Sequence, residues 1–264
     1  MSPFPLDPTA PGVPALIALL ATRVGGVLLV APAFGGRPVP MMVRAGLLLL
    51  LTALLVPAGA AAAAGSTPRV TPATLLSETL IGMAVGLGAA VFVGAAELAG
   101  DVISMQTGLS AATVLDPLTQ QSAPALVGFG RLFAVALLFA VGGHLAMIGA
   151  LAGSLDVLPV GGAVAGAEGL RAMVSLGTEL FTVGLRFAAP VAAALLVSNI
   201  AVGILARTMP QLNALMVAFP VQIGVGLFTL GMALPFIAAP FAAWPIAYEE
   251  LVSRMLEGFL PRIP

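Results

Sequence analysis

Apolar residues run along this chain in long blocks, separated by short stretches rich in proline, glycine and hydroxyl side chains. A bilayer-spanning helix needs about 20 predominantly apolar residues, and about six blocks meet or approach that length. The first is Pro14 to Ala31, interrupted by Arg23, and a hinge follows, PAFGGRPVPMMVR. There Pro32, Pro38 and Pro40 cannot lie in a helix interior, while Gly35 and Gly36 permit a sharp turn. The second block is Met42 to Ala64. After the polar GSTPRVTP, Thr71 or Thr74 is placed to cap the third helix, with Glu78 near its first turn. That third block, Leu75 to Ala99, carries Gly82, Gly86 and Gly88, small residues that let another helix approach closely.

The fourth block, Ala125 to Ala152, contains Arg131 and the sole histidine, His144. A long glycine-rich connection follows, with an amphipathic middle at Glu168 to Leu176 that suits an interface better than a membrane crossing. Leu180 to Leu205 and Leu215 to Ala243 are the fifth and sixth blocks. The fifth carries Arg186, Pro190, Ser198 and Asn199, and the sixth holds Pro220, Pro235 and Pro240. Prolines at this density predict bent or discontinuous helices. The tail from 245 to 264 alternates apolar and charged residues at helical spacing and reads as an amphipathic helix. The expected fold is therefore an all-α integral membrane protein of bent, proline-kinked helical hairpins. It is organised as one domain, with N-terminal hairpins over about 14–99 and C-terminal hairpins over about 125–243.

Between those halves lies a stretch of different character, ELAGDVISMQTGLSAATVLDPLTQQSAP, from Glu97 to Pro124. It is too polar for a span and too apolar for a charged surface loop. This mixture suits a segment beside a protein wall or a narrow watery passage, where neighbours satisfy the backbone.

Composition narrows the class. Mean hydropathy is +1.13, hydrophobic residues make up 60% and charged residues 8% of the 264 positions, which fits an integral membrane protein and no soluble domain of this size. The net charge is -1 and the positive residues, all arginine, form no cluster, so a nucleic-acid partner is excluded. Without cysteine or lysine there is no thiolate nucleophile, no cysteine-based metal site and no phosphate-binding Gly-x-x-x-x-Gly-Lys loop. His144 has no carboxylate or second histidine at ligand spacing and reads as a packed or water-facing residue. The N-terminus lacks a basic n-region, so the first apolar block is expected to be retained. Charges at membrane depth are costly, and Arg23, Glu97, Asp101, Arg131, Arg186 and Arg207 read as ion pairs within an assembly, as residues in water because the segments are not all in lipid, or as a proton or ion relay.

Several marks together resemble the FliR proteins of the flagellar type III export gate, with the SctT proteins of virulence injectisomes as relatives. They are Arg23 with Pro32, Pro38, Pro40 and Arg44; Glu78, Gly82 and Gly86; Ala99 to Pro117; Gly142 to Gly161; and Gly203 to Leu227, which includes Arg207, Pro210, Gln211 and Asn213. The resemblance implies a non-enzymatic subunit, without cofactor or metal, that forms a protein-conducting pore with FliP and FliQ beside an FlhB-like protein and membrane lipids. It further implies passage of unfolded flagellar substrates, residence in the bacterial inner membrane at the flagellar basal body, and a gate sitting largely above the membrane plane. It places a pore plug at Gln106, Gly108, Leu109, Ser110, Ala111, Asp116 and Pro117, extending to about 124. Arg23, Glu97, Asp101, Arg131, Arg207, Gln211 and Asn213 are then polar positions within the membrane or between subunits. The competing classes are an injectisome subunit, a small-solute transporter built around Glu97, Asp101 and Arg131, and a membrane enzyme using His144. Where many relatives have Asn-Gly-His, this chain reads Gly142-Gly143-His144.

Overall fold

The structure is a computed structural model, and it describes residues 12–35, 39–63, 68–110, 125–162, 167–209 and 214–260. Among these residues every regular element is helical. In chain order they are α1 (Val13–Val30), α2 (Pro32–Gly35), α3 (Met41–Ala62), α4 (Pro72–Thr107), α5 (Ala125–Ala140), α6 (Gly143–Val157), α7 (Ala167–Thr208), α8 (Ala214–Ala242) and α9 (Trp244–Glu257). Five helices are long and apolar enough to cross a membrane, or six if α5 and α6 form one broken span. The expected all-α membrane fold is therefore present.

The described residues fall into two compact units, one drawn from Met1–Val91, Leu138–Gly177 and Trp244–Pro264, the other from Phe92–Leu137 and Thr178–Ala243. In the first unit α1 buries Leu16, Leu19, Leu20, Val24, Val27 and Leu28, a stripe at three- and four-residue spacing. It meets α4 backbone to backbone. A Cβ added to Gly26 would stand 2.5 Å from the Thr79 carbonyl oxygen, and one on Gly82 would collide with the carbonyl of Arg23. The close approach expected of Gly82 and Gly86 is thus made, with α1 as the partner.

At the start of α4, Thr71 is the cap: its hydroxyl accepts from the Thr74 amide at 3.2 Å, and Pro72 occupies the first helical position. Glu78, expected near that first turn as a dipole partner, lies almost two turns in and is fully buried. The tail is helical with one buried face as far as Glu257, and residues 261–264 lie outside the described residues. Helix α9 buries Trp244, Tyr248, Val252, Met255 and Leu256 along one face, the Trp244 and Tyr248 rings stack at 4.7 Å, and the Tyr248 hydroxyl donates to the Val85 carbonyl at 2.8 Å.

The second unit packs the later turns of α4 and most of α5 with α7 and α8. Phe241 is its aromatic centre, edge-on to Phe92 at 5.9 Å and stacked on Phe187 at 6.1 Å. The Leu98 side chain of α4 packs onto Gly184 of α7 and the Leu180 side chain of α7 packs onto Gly94 of α4, so each helix seats a leucine of the other on a glycine.

Four boundaries differ from the sequence expectation. The fourth block is two helices, with a 69° bend where Gly142 takes a left-handed φ of 75°. The amphipathic Glu168 to Leu176 stretch is no separate interfacial element; it forms the first turns of α7, which runs on for 42 residues through Pro190. The sixth block is likewise one continuous helix, α8, despite Pro220, Pro235 and Pro240. A proline removes one hydrogen bond from a helix, and the bonds that remain on either side hold the element together. The fourth difference is that α4 does not stop at Ala99; it continues to Thr107.

Candidate functional site

The polar stretch begins on a helix. Glu97, Asp101 and Gln106 all ride on the last turns of α4, and only at Gly108, with φ 79°, does the chain leave helical geometry. Gly108 is the left-handed residue that commonly ends a helix, and its amide donates to the Met105 carbonyl at 3.3 Å. Before it Thr107 is fully buried, and its hydroxyl donates to the Ile103 carbonyl at 2.8 Å. Leu109 and Ser110 follow. Of the remaining expected plug residues, Ala111, Asp116 and Pro117 lie outside the described residues, as do Gln211 and Asn213.

The stretch re-enters the described structure at α5, and its two stems cross at close range. A Cβ on Gly100 of α4 would strike the Leu126 carbonyl, and one on Gly130 of α5 would come within 2.5 Å of the Ala96 carbonyl oxygen. Reciprocal glycines fix the spacing of the two helices from which the polar segment departs. On the margin of the crossing Arg131 meets Glu97 at 3.5 Å, with both side chains a third or more exposed. Such a pair is screened and contributes little.

Among the described residues the other charges lie apart from this pair. Arg186 and Arg207 are exposed, and Arg207 sits in the last turn of α7, where a cation suits the helix dipole. Asp101 is half-buried and makes no ion pair among the described residues. Arg23 belongs to the other unit and is fully buried with Glu78. Its Nε donates to the Glu78 carboxylate at 2.6 Å, one terminal nitrogen reaches the Ser154 hydroxyl at 3.0 Å and the Ser154 carbonyl at 3.2 Å, and the other reaches the Leu158 carbonyl at 2.9 Å. The second carboxylate oxygen of Glu78 accepts the Gly161 amide at 2.8 Å. This cluster ties α1, α4 and the end of α6 together. Every donor on Arg23 points at protein, and the arrangement is structural.

A family model described as bacterial export proteins, family 1, matches residues 15–244. The flagellar biosynthetic protein FliR of Pectobacterium carotovorum subsp. carotovorum is 34% identical over 238 residues, covering 89% of this chain and 87% of that protein. The chain belongs to the FliR family. The protein of the same name from Escherichia coli K12 is 32% identical over 222 residues, covering 83% of this chain and 84% of that relative. That of Bacillus subtilis 168 is 28% identical over 215 residues.

Within this FliR-family chain the matched region takes in both the Arg23 cluster and the crossing stems of the polar stretch, and ends at the first residue of α9. Sequence reasoning missed Glu78 as the counter-ion of Arg23, although a signal was present. Apart from Asp7, Glu78 is the only acidic residue before Glu97, and a buried guanidinium requires a carboxylate. It also missed the Gly100 and Gly130 pair and the contact of Phe219 with Gly108, which depend on which helices face each other. His144 lies 5.1 Å from the Phe139 ring in a tilted stack, a packed residue.

Proposed function

We propose that this chain is a non-enzymatic core subunit of a flagellar type III export gate. It assembles with FliP and FliQ in the bacterial inner membrane, beside an FlhB-like protein, to form the pore through which unfolded flagellar substrates pass. Family membership and the flagellar relatives support the reading. So does helix length: α4 and α7, of 36 and 42 residues, extend about 54 and 63 Å at the α-helical rise, whereas a bilayer core is about 30 Å thick. Helices of that reach suit hairpins that stand beyond the lipid or cross it at a steep tilt and lean on partner subunits.

The segment from Gln106 to Pro117, extending to about 124, acts as the plug of the closed pore. The observation that carries this is the stem: a polar, small-residue stretch leaves α4 at a left-handed glycine and returns on α5, with the two helices locked by Gly100 and Gly130. A plug held by rigid stems and carrying few apolar anchors costs little to displace. Deleting Gly108 to Asp116 is expected to make the assembled gate leak ions in a planar bilayer. Conductance equal to wild type would end the plug assignment. Loss of swimming on deletion of the gene, together with co-purification of FliP and FliQ, separates this reading from an injectisome subunit. A small-solute transporter centred on Glu97, Asp101 and Arg131 finds little support, because the one pair those residues make is partly solvent-exposed.

A further inference from the structure

Two consecutive residues at the end of α4 are gripped by one face of α8. Thr107 points its methyl at Gly226, where an added Cβ would lie 2.5 Å from that methyl. Gly108 lies under the Phe219 ring, where an added Cβ would stand 2.6 Å from one ring carbon and 2.8 Å from the next. Phe219 and Gly226 are two helical turns apart and share that face. Leu195 of α7 backs the Thr107 seat, 3.6 Å from the Cβ position at Gly226. Phe219 itself remains 43% exposed, so it is no core residue: half of its ring is spent on Gly108 and the other half stays open.

We propose that Phe219 is a positioning residue for the polar segment, its ring fixing the point and direction at which the chain leaves α4. This rests on the plug reading above. Thr107 in the Gly226 seat ends the helix at one residue, and the ring over Gly108 restricts the rotation that the left-handed glycine would otherwise allow. Because the ring is only half covered, the restraint is a light one. Gly108 is accordingly a glycine for two reasons, its backbone angle and the ring above it.

The test uses the full assembled gate in a planar bilayer, with potassium chloride as the conducted salt and deletion of Gly108 to Asp116 as reference. Phe219→Ala is expected to raise the open fraction about tenfold, through loss of the dispersion contact between the half-covered ring and Gly108. Phe219→Tyr, which keeps the ring, should stay at the wild-type level. Gly108→Ala should leak at least as much as Phe219→Ala, because the added methyl strains the left-handed backbone as well as meeting the ring. If the reference deletion leaks while Phe219→Ala matches wild type, the positioning role is overturned and the plug stands. If the deletion does not leak, both fall. Should Phe219→Ala lower the yield of assembled gate, Phe219→Leu is read instead, with a spin label at Leu109→Cys in the otherwise cysteine-free chain. Greater label mobility in Phe219→Leu than in the Phe219 parent supports the proposal, and unchanged mobility overturns it.

Discussion

Replacing Arg23 with Met removes the guanidinium and keeps most of the side-chain volume. Glu78 is then left as a carboxylate with no exposed surface, and its sole remaining partner among the described residues is the Gly161 amide. The Ser154 and Leu158 carbonyls lose their charged donors as well. Breaking a fully buried pair by truncating one partner costs about 3–5 kcal/mol, most of it the penalty of an uncompensated charge. For a chain of this size that corresponds to a fall in unfolding temperature of about 6–20 °C. The single tryptophan, Trp244, is buried in the same unit, so its fluorescence during heating of the detergent-purified protein reports the affected region. Converting both residues, Arg23→Met with Glu78→Met, removes the stranded charge and should unfold nearer to wild type than either single variant. If Arg23→Met unfolded at the wild-type temperature, or if the double variant lost as much as the two singles together, the cluster would not be the coupled, desolvated structural clamp described above.

The α1 and α4 crossing offers a second test. Gly82→Ala places a methyl where the Arg23 carbonyl stands, backbone against backbone, and should destabilise by about 1–3 kcal/mol, whereas Gly46→Ala, with open space around it, should be neutral or gain up to about 1 kcal/mol in helix propensity. Chemical denaturation of the two variants side by side checks the contrast. Tyr248→Phe should cost about 1 kcal/mol at neutral pH by deleting the hydrogen bond to Val85. Burial raises the Tyr248 phenol above its ordinary value, so the folded chain keeps the proton while the unfolded chain releases it above about pH 10. Stability therefore declines as pH rises past about 10, by about 1.4 kcal/mol per unit, and Tyr248→Phe should lack that part of the slope, which unfolding series at pH 9 and 11 would reveal.

The sequence by itself determined the class of this protein and the course of its chain. Apolar blocks of membrane length exceed what a folded core can absorb, so the surface must meet lipid or partner subunits, and that follows from composition before any contact is known. Local chemistry was legible where side chains signal it: one of the two expected threonines, Thr71, caps α4, and the spacing from Trp244 to Leu256 makes one buried face. Periodicity did not find where α4 and α7 extend or α6 begins, because nearly every position in these blocks is apolar and the pattern has little contrast. Which helices touch was decided only in three dimensions. Glycines are abundant, and sequence spacing alone does not say that Gly82 receives α1, that Gly100 and Gly130 lock the stems, or that Gly226 seats Thr107. The fate of the charges was decided there too: Arg23 and Glu78 are 55 positions apart and become a single buried pair, since desolvated ions must find each other wherever the chain places them.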